Sequence, residues 1–223
     1  MKKTYTLSLC IGMVLFSILD SNSMLAQCFK RGSFVVSLSE GSNQSVYTTY
    51  STGTSEFRGH RGDETGVRDP IIIEYGISNR WGIGSTWGND IYNVNPTSFY
   101  GFNLSGKNAG VKTSEYTIDG SYHFLVTKKA DFALVGSLGT FSIAMNGTNN
   151  DYSYRYTSNG NMARLALRTR YYFWRRLGVT SMGSLFAANS SPVGVKDNTV
   201  GKSASTSITG STVEFGLCYR ICR

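Results

Sequence analysis

The feature that most constrains this chain is a period-two alternation of side chains that recurs along its length. In 211–222 the odd positions carry Ser211, Val213, Phe215, Leu217, Tyr219 and Ile221, and the even positions are polar or small, with one cysteine at each of 218 and 222. Similar segments lie at 32–39, 70–77, 81–88, 114–125, 131–144, 163–173 and 177–187. Because successive side chains of a β-strand point to opposite faces, the pattern predicts eight strands.

The connections between these segments alternate between short and long. Three are hairpin turns, at about 78–80, 126–130 and 174–176. Four are longer and rich in Ser, Thr, Asn and Gly, at 40–69, 89–113, 145–162 and 188–207. In an up-and-down sheet this rhythm places every long loop at one end and both chain termini at the other. The alternation slips near Gly139, where we predict a bulge or a bend.

The two faces of the predicted strands differ in a way that indicates which one meets water. One face carries large aromatic residues such as Trp87, Tyr116 and Phe215, and the other carries Gly, Ser, Thr and full charges. A soluble sandwich or lipocalin-like barrel would bury the aromatic face. We instead predict an all-β, closed eight-stranded barrel with the small and charged residues inside, where there is just enough room for side chains.

The predicted inward face carries equal numbers of acidic and basic residues. These are Glu74, Glu115, Asp119, Glu214, Arg164, Arg168, Arg170 and Arg220. An isolated charge shut away from water costs several kcal/mol, whereas equal signs can pair. We therefore predict a luminal ion-pair network that fills the barrel. The alternative is that the same arginines are solvated on an ordinary sheet.

This architecture resembles the OmpA/OmpX-type eight-stranded outer-membrane β-barrels of Gram-negative bacteria. The last segment is similar to the assembly signal of that family, through Glu214, Gly216, Tyr219 and Ile221. It departs from the pattern where Ile221 replaces the usual aromatic residue and Cys222 and Arg223 follow. The resemblance implies an antiparallel, up-and-down transmembrane barrel over 27–223, with short periplasmic turns and long extracellular loops.

Residues 1–26 have the pattern of a secretory signal peptide. Lys2 and Lys3 precede a short apolar stretch from Thr6 to Leu19, and cleavage is expected after Ala26 or Ser23. The apolar stretch is shorter than the roughly 20 residues of a membrane-spanning helix. An N-terminal anchor helix and lipidation of Cys28 remain alternatives, although Gln27 is not the small residue that a lipobox requires. We expect export to the outer membrane.

The resemblance implies a non-enzymatic protein that presents four surface loops above a plugged lumen, in a structural or surface-interaction role. The expected partners are outer-membrane lipids, the barrel-assembly machinery and other outer-membrane or surface proteins. Alternatives are an accessory subunit of a larger complex, a narrow ion channel, and a lipid-modifying enzyme that uses His123 with Ser121 and Asp119. Arg61-Gly62-Asp63, in a predicted surface loop, is a tripeptide that adhesion receptors read, but three residues are weak evidence.

The cysteine and histidine pattern predicts no metal site, and no motif predicts a cofactor. In a closed barrel the first and last strands pair, so that Cys28 can lie near Cys222 or Cys218. We predict a disulfide from Cys28 to one of these two cysteines, in a compartment that permits it.

The formal net charge of +8 would ordinarily suggest nucleic acid as a partner. The predicted lumen and the predicted long loops each balance, however, and the excess lies at the short-turn end. That rim consists of Lys30, Arg31, Arg80, Lys128, Lys129, Arg175, Arg176 and Arg223, with Asp131 opposing them. A basic rim on one side suits anionic headgroups of the inner leaflet, and no nucleic acid is expected.

Overall fold

The computed structural model describes residues 28–52, 58–93, 110–149, 152–190, 193–194 and 203–221, which form a closed antiparallel β-barrel. The strands are β1 (Phe34–Thr52), β2 (Arg58–Gly76), β3 (Trp81–Asn93), β4 (Gly110–Val126), β5 (Ala130–Asn149), β6 (Tyr152–Tyr172), β7 (Leu177–Ser190), β8 (Val193–Gly194) and β9 (Ser203–Ile221). Eight long strands follow chain order around the barrel, and β9 pairs with β1 to close it. The two-residue β8 pairs with the start of β9. This confirms the predicted fold class.

The predicted signal peptide, 1–26, lies outside the described residues. Within the described part of the chain, no helix is long and apolar enough to cross a membrane.

The stagger of the strands sets the tilt of the barrel. Paired residues run from Leu38 through Ile71, Trp87, Tyr116, Thr140, Asn161, Asn189 and Ser207 and return to β1 at Thr48, ten residues further along the strand. With usual strand dimensions, this stagger over eight strands tilts them by about 40° from the barrel axis. A strand at that tilt needs about ten residues to cross an apolar band 25 Å tall.

The outward face is the apolar one on every long strand. In β9, Val213, Phe215, Leu217 and Tyr219 are 43–58% exposed, whereas Thr212, Glu214, Cys218 and Arg220 are buried. The same division holds in β6, where Leu165 and Leu167 point outward. This distribution, with apolar side chains outside and polar side chains inside, is the reverse of that in a water-soluble protein, as the sequence predicts.

Short turns and exposed aromatic residues share one end of the barrel. The turn at 77–80 is held by the Ser78 hydroxyl, which accepts hydrogen bonds from the backbone N–H groups of Arg80 and Trp81. In the turn at 127–129, the Thr127 hydroxyl accepts from the Ala130 N–H at 2.8 Å. Hydroxyl side chains favour such turns because they replace backbone acceptors. The exposed aromatic residues at this end are Tyr75, Trp81, Phe124, Tyr171, Phe173, Trp174 and Tyr219.

The strands are longer than the sequence predicts, which corrects the boundaries of all four predicted long loops; within 89–113, β3 continues to Asn93 and β4 begins at Gly110. Much of 40–69, 145–162 and 188–207 is strand, and Arg61-Gly62-Asp63 lies in β2. Beyond the apolar band the outward residues are mostly polar, and inward positions include apolar side chains such as Val111, Ile143 and Ile208. The contrast that reveals a strand in the sequence is therefore lost although the backbone pairing continues.

The predicted bulge at Gly139 is wrong. Gly139 pairs with Thr117 on one side and Met162 on the other without a shift, and the irregularity lies in β4 between His123 and Leu125. Gly139 instead allows β4 and β5 to approach closely, since a Cβ atom there would lie 2.0 Å from the carbonyl oxygen of Tyr116.

Replacing Gly139 by Ala should lower the free energy of unfolding by about 1–3 kcal/mol, because the added methyl group forces β4 and β5 apart. The measurement is a urea titration of the purified barrel. Gly136→Ala is the matched control, since no atom lies within 4 Å of a Cβ at that position. Equal unfolding midpoints for the two variants would contradict this account of Gly139.

Candidate functional site: the charged lumen

The barrel interior concentrates buried charge. Among the described residues, five arginines, six carboxylates and one histidine are buried: Arg68, Arg164, Arg168, Arg170, Arg220, Glu74, Asp90, Glu115, Asp119, Asp131, Glu214 and His123. The sequence prediction omitted Arg68 and Asp90 because they fall in predicted loops, and it placed Asp131 on the rim. A signal for Arg68 was available, since it continues the even-numbered inward face of β2 on which Ile72 and Glu74 lie.

The outer cluster, as we call it, is centred on Arg68. Its Nε atom donates to Glu214 at 2.7 Å, Nη2 donates to Glu115, and Nη1 lies 3.4 Å from Asp90. Arg164 adds two parallel hydrogen bonds of 2.6 Å to Glu115. The paired geometry suits a guanidinium and a carboxylate and makes such contacts strong.

A glycine provides the space for this cluster. A Cβ atom at Gly88 would lie 3.0–3.1 Å from the guanidinium atoms of Arg68. The absence of a side chain at Gly88 of β3 therefore leaves room for the guanidinium of Arg68 of β2.

The inner cluster, nearer the short turns, is centred on Glu74. Glu74 accepts hydrogen bonds of 2.5 Å from Arg168 and Arg170, and a further one from the Ser121 hydroxyl. His123 connects Glu74 to Asp131, through an Nε2 contact of 3.2 Å and an Nδ1 contact of 2.6 Å.

An apolar layer separates the two clusters. It consists of Ile72, Ala133, Val135, Ala166 and Met182, all buried. Ile72 stands between Arg68 and Glu74 on the inward face of β2. The lumen is therefore layered, with ion pairs above and below an apolar packing layer.

Two residues of the predicted network have other partners. Asp119 accepts hydrogen bonds from the hydroxyls of Thr86, at 2.5 Å, and Thr117, at 2.8 Å. Arg220 donates to the carbonyl oxygens of Cys28 and Arg175, and its guanidinium lies 4.7 Å from the centre of the Tyr172 ring.

The segment 28–33 closes the short-turn end. Phe29 is fully buried and stacks on the imidazole of His123 with a centroid separation of 3.5 Å and an interplanar angle of 12°. The Cys28 N–H donates to Thr127 and the Gly32 N–H donates to Gly76, which ties the segment to two turns. Gly32 has a φ of +80°, a conformation that glycine adopts readily.

The predicted disulfide between Cys28 and Cys218 is not formed. Both are buried free thiols, and each donates to a different carbonyl, Cys28 to Ala130 at 3.1 Å and Cys218 to Val179 at 3.6 Å. Burial raises the pKa of the Cys28 thiol, so that the reactive thiolate is scarce. Cys222 lies outside the described residues.

The inner cluster also contains the residue types of a hydrolase triad, with Asp131 in the place that the sequence analysis gave to Asp119. The Ser121 Oγ atom lies 3.2 Å from His123 Nε2, and Asp131 lies on Nδ1. Ser121, however, donates its hydrogen bond to Glu74, and each ring nitrogen of His123 lies beside a carboxylate. The serine proton is therefore directed to Glu74 instead of to the imidazole, which is not the arrangement of a nucleophile and its base.

The described residues contain no group of three His, Cys, Asp or Glu side chains suited to a metal ion.

Solved structures with the same fold are outer-membrane proteins. OprG from Pseudomonas aeruginosa aligns with a TM-score of 0.50 and 16% identity, covering 87% of this chain and 98% of its own. AlkL, solved in DMPC bilayers, aligns with a TM-score of 0.57 and 11% identity, covering 87% of this chain and 92% of its own. No protein-family model matches the sequence, and no curated protein matches it. The chain thus has the fold of a small outer-membrane β-barrel.

Replacing Arg68 by Met should lower the free energy of unfolding by about 3–5 kcal/mol, because the carboxylates of Asp90, Glu115 and Glu214 lose their shared partner. Urea titration of the folded barrel measures the change. Lys112→Met removes a cation from an exposed position of β4 and should cost less than about 0.5 kcal/mol. Similar losses in both variants would show that the Arg68 ion pairs do not stabilise the barrel.

Proposed function

We propose that this protein is an integral, non-enzymatic component of the bacterial outer membrane. Its plugged barrel anchors extended strands and connections that face outward, in a structural or surface-interaction role. The observation that carries the proposal is the charge-filled lumen enclosed by an apolar outer wall.

The outer wall supports a lipid environment because its apolar surface is continuous around the barrel. Every long strand contributes at least one large, exposed apolar residue: Leu38, Ile73, Trp87, Ile118, Leu138, Leu165, Leu185 and Leu217. Soluble monomers rarely expose apolar patches beyond a few hundred Å². A protein partner would cover one side of the barrel, whereas lipid surrounds it.

The lumen supports an anchoring role over a conducting one. Ion pairs occupy it at two levels, with an apolar layer between them, and Phe29 closes the end at the short turns. An ion entering this path would have to displace buried, paired charges, which costs several kcal/mol.

Enzymatic use of His123 is the second candidate that a specific observation favours, through its contacts with Ser121 and Asp131. The burial of the site argues against enzymatic use of His123. Ser121 and His123 are 2% and 0% exposed, and Phe29 covers the imidazole. A lipid substrate on the outer wall would not reach either residue.

The long strands support a role beyond the membrane. β6 has 21 residues, about twice the ten that cross the apolar band at this tilt. The surplus stands at the end opposite the short turns, where it would meet other outer-membrane or surface proteins, including a larger complex if the protein is an accessory subunit.

We propose that the barrel-assembly machinery is the partner in folding and recognises the β9 signal. Tyr219 and Ile221 point outward, Gly216 permits close approach to Leu38, and Glu214 is buried against Arg68.

A charge in the apolar band tests the membrane placement. Leu167→Arg should destabilise the barrel in lipid vesicles by about 2–4 kcal/mol, since an outward arginine near the middle of the band must be desolvated. Asn161→Arg, on the same face of β6 but beyond the band, should cost about 0–1 kcal/mol. Unfolding titrations in vesicles measure both. Equal costs would place Leu167 outside the membrane.

Heating and activity measurements test the proposed function as a whole. The unboiled protein should migrate differently from the boiled protein on a gel, cofractionate with outer membranes, and give no steady conductance in a planar bilayer. Purified protein should not turn over lipid A or phospholipid. Unchanged mobility with a soluble location would refute the membrane assignment, and turnover lost in His123→Ala would establish the enzyme instead.

A further inference from the structure

The short-turn end carries a ring of exposed cations, which we call the basic rim. Its described members are Lys30, Arg31, Arg80, Lys128, Lys129, Arg175 and Arg176. The described residues at this end include no exposed carboxylate. Asp131, which the sequence placed on the rim, is 1% exposed and faces His123 and Arg170 inside the barrel. The exposed charge of the rim is therefore more positive than the sequence indicates, because Asp131 does not offset it.

The rim surrounds the barrel axis instead of forming a patch on one side. Arg80 lies in the turn between β2 and β3, Lys128 and Lys129 between β4 and β5, and Arg175 and Arg176 between β6 and β7. Lys30 and Arg31 precede β1. Positive charge therefore faces every direction around this end of the barrel.

Exposed aromatic residues alternate with these cations. Trp81 follows Arg80 directly and is 54% exposed. Trp174 is 69% exposed although it lies in a turn beside Arg175, and it packs edge-on against Phe173 at 5.4 Å. Aromatic residues with one apolar and one polar side are enriched at membrane interfaces.

We propose that the basic rim binds anionic phospholipid headgroups, of the phosphatidylglycerol class, in the leaflet at the short-turn end. Phosphates meet the lysines and arginines while the glycerol and upper acyl chains cover Trp81, Phe173 and Trp174. A soluble polyanion such as a cell-wall polymer would neutralise the cations and leave these aromatic residues in water. The inference rests on the proposed membrane insertion.

The test compares lipid selectivity in bilayers that hold the full protein. Spin-labelled phosphatidylglycerol and phosphatidylcholine report, by electron paramagnetic resonance, the fraction of each lipid immobilised at the barrel. We expect wild-type protein to favour phosphatidylglycerol by about threefold or more, decreasing as salt screens the charges.

The rim variant is Lys128→Gln/Lys129→Gln/Arg175→Gln/Arg176→Gln. Its preference should fall to about 1.5-fold or less, because four of the cations are gone. The matched control replaces four lysines that the sequence places away from the short turns, Lys107, Lys112, Lys196 and Lys202, by Gln. That control should retain the wild-type preference.

Absence of preference in the wild type, or equal preference in the rim variant, would overturn the proposal. A second contrary outcome combines two results: the wild type shows no lipid preference, and it cosediments with peptidoglycan unless the rim residues are substituted. That outcome would also overturn the proposal. Heat-dependent gel mobility of the same samples reports insertion separately. An inserted barrel without lipid selectivity refutes only the basic rim, whereas a barrel that does not insert refutes the proposed function and this inference together.

Discussion

The pairing of charges shut inside the barrel is the interaction on which the rest of this structure depends. Arg68 of β2 contacts carboxylates from β3, β4 and β9, and Glu74 contacts arginines from β6. Arg68 and Asp90 are on neighbouring strands, whereas Arg68–Glu115 and the contacts of Glu74 join strands that are not neighbours. Removing one partner leaves a buried charge elsewhere at a cost of several kcal/mol. Closing the sheet and filling its interior are therefore one process, and neither arrangement is stable without the other.

This interior also explains the outer surface. Because ion pairs and small residues occupy much of the lumen, most large apolar side chains lie on the outward face, and a wall such as that around Leu138 and Phe215 suits lipid. The same geometry carries the cations of the short turns to one edge of the apolar band. The proposed orientation in a membrane and the proposed lipid selectivity rest on this placement of charge.

The inner cluster illustrates how little residue type alone says about chemistry. Ser121, His123 and Asp131 have hydrolase-like contacts, yet the Ser121 proton goes to Glu74 and the imidazole lies between two carboxylates beneath Phe29. In this setting the histidine joins two buried carboxylates. The structure thus favours stability over catalysis for a set of residues that a sequence can only place near one another.

The sequence by itself determined the fold class, the inward and outward faces, and most of the charged residues of the lumen, because lipid on one side and confinement on the other impose a local alternation such as that of 211–221. It could not determine where the strands end, since outward polar residues and inward apolar ones such as Ile143 remove that alternation beyond the band. Nor could it determine which charges pair. Those contacts depend on the ten-residue stagger around the closed barrel and, for Asp131, on pairing with a strand that bulges after His123. Both are properties of strands joined across the sheet, and only the tertiary structure decides them.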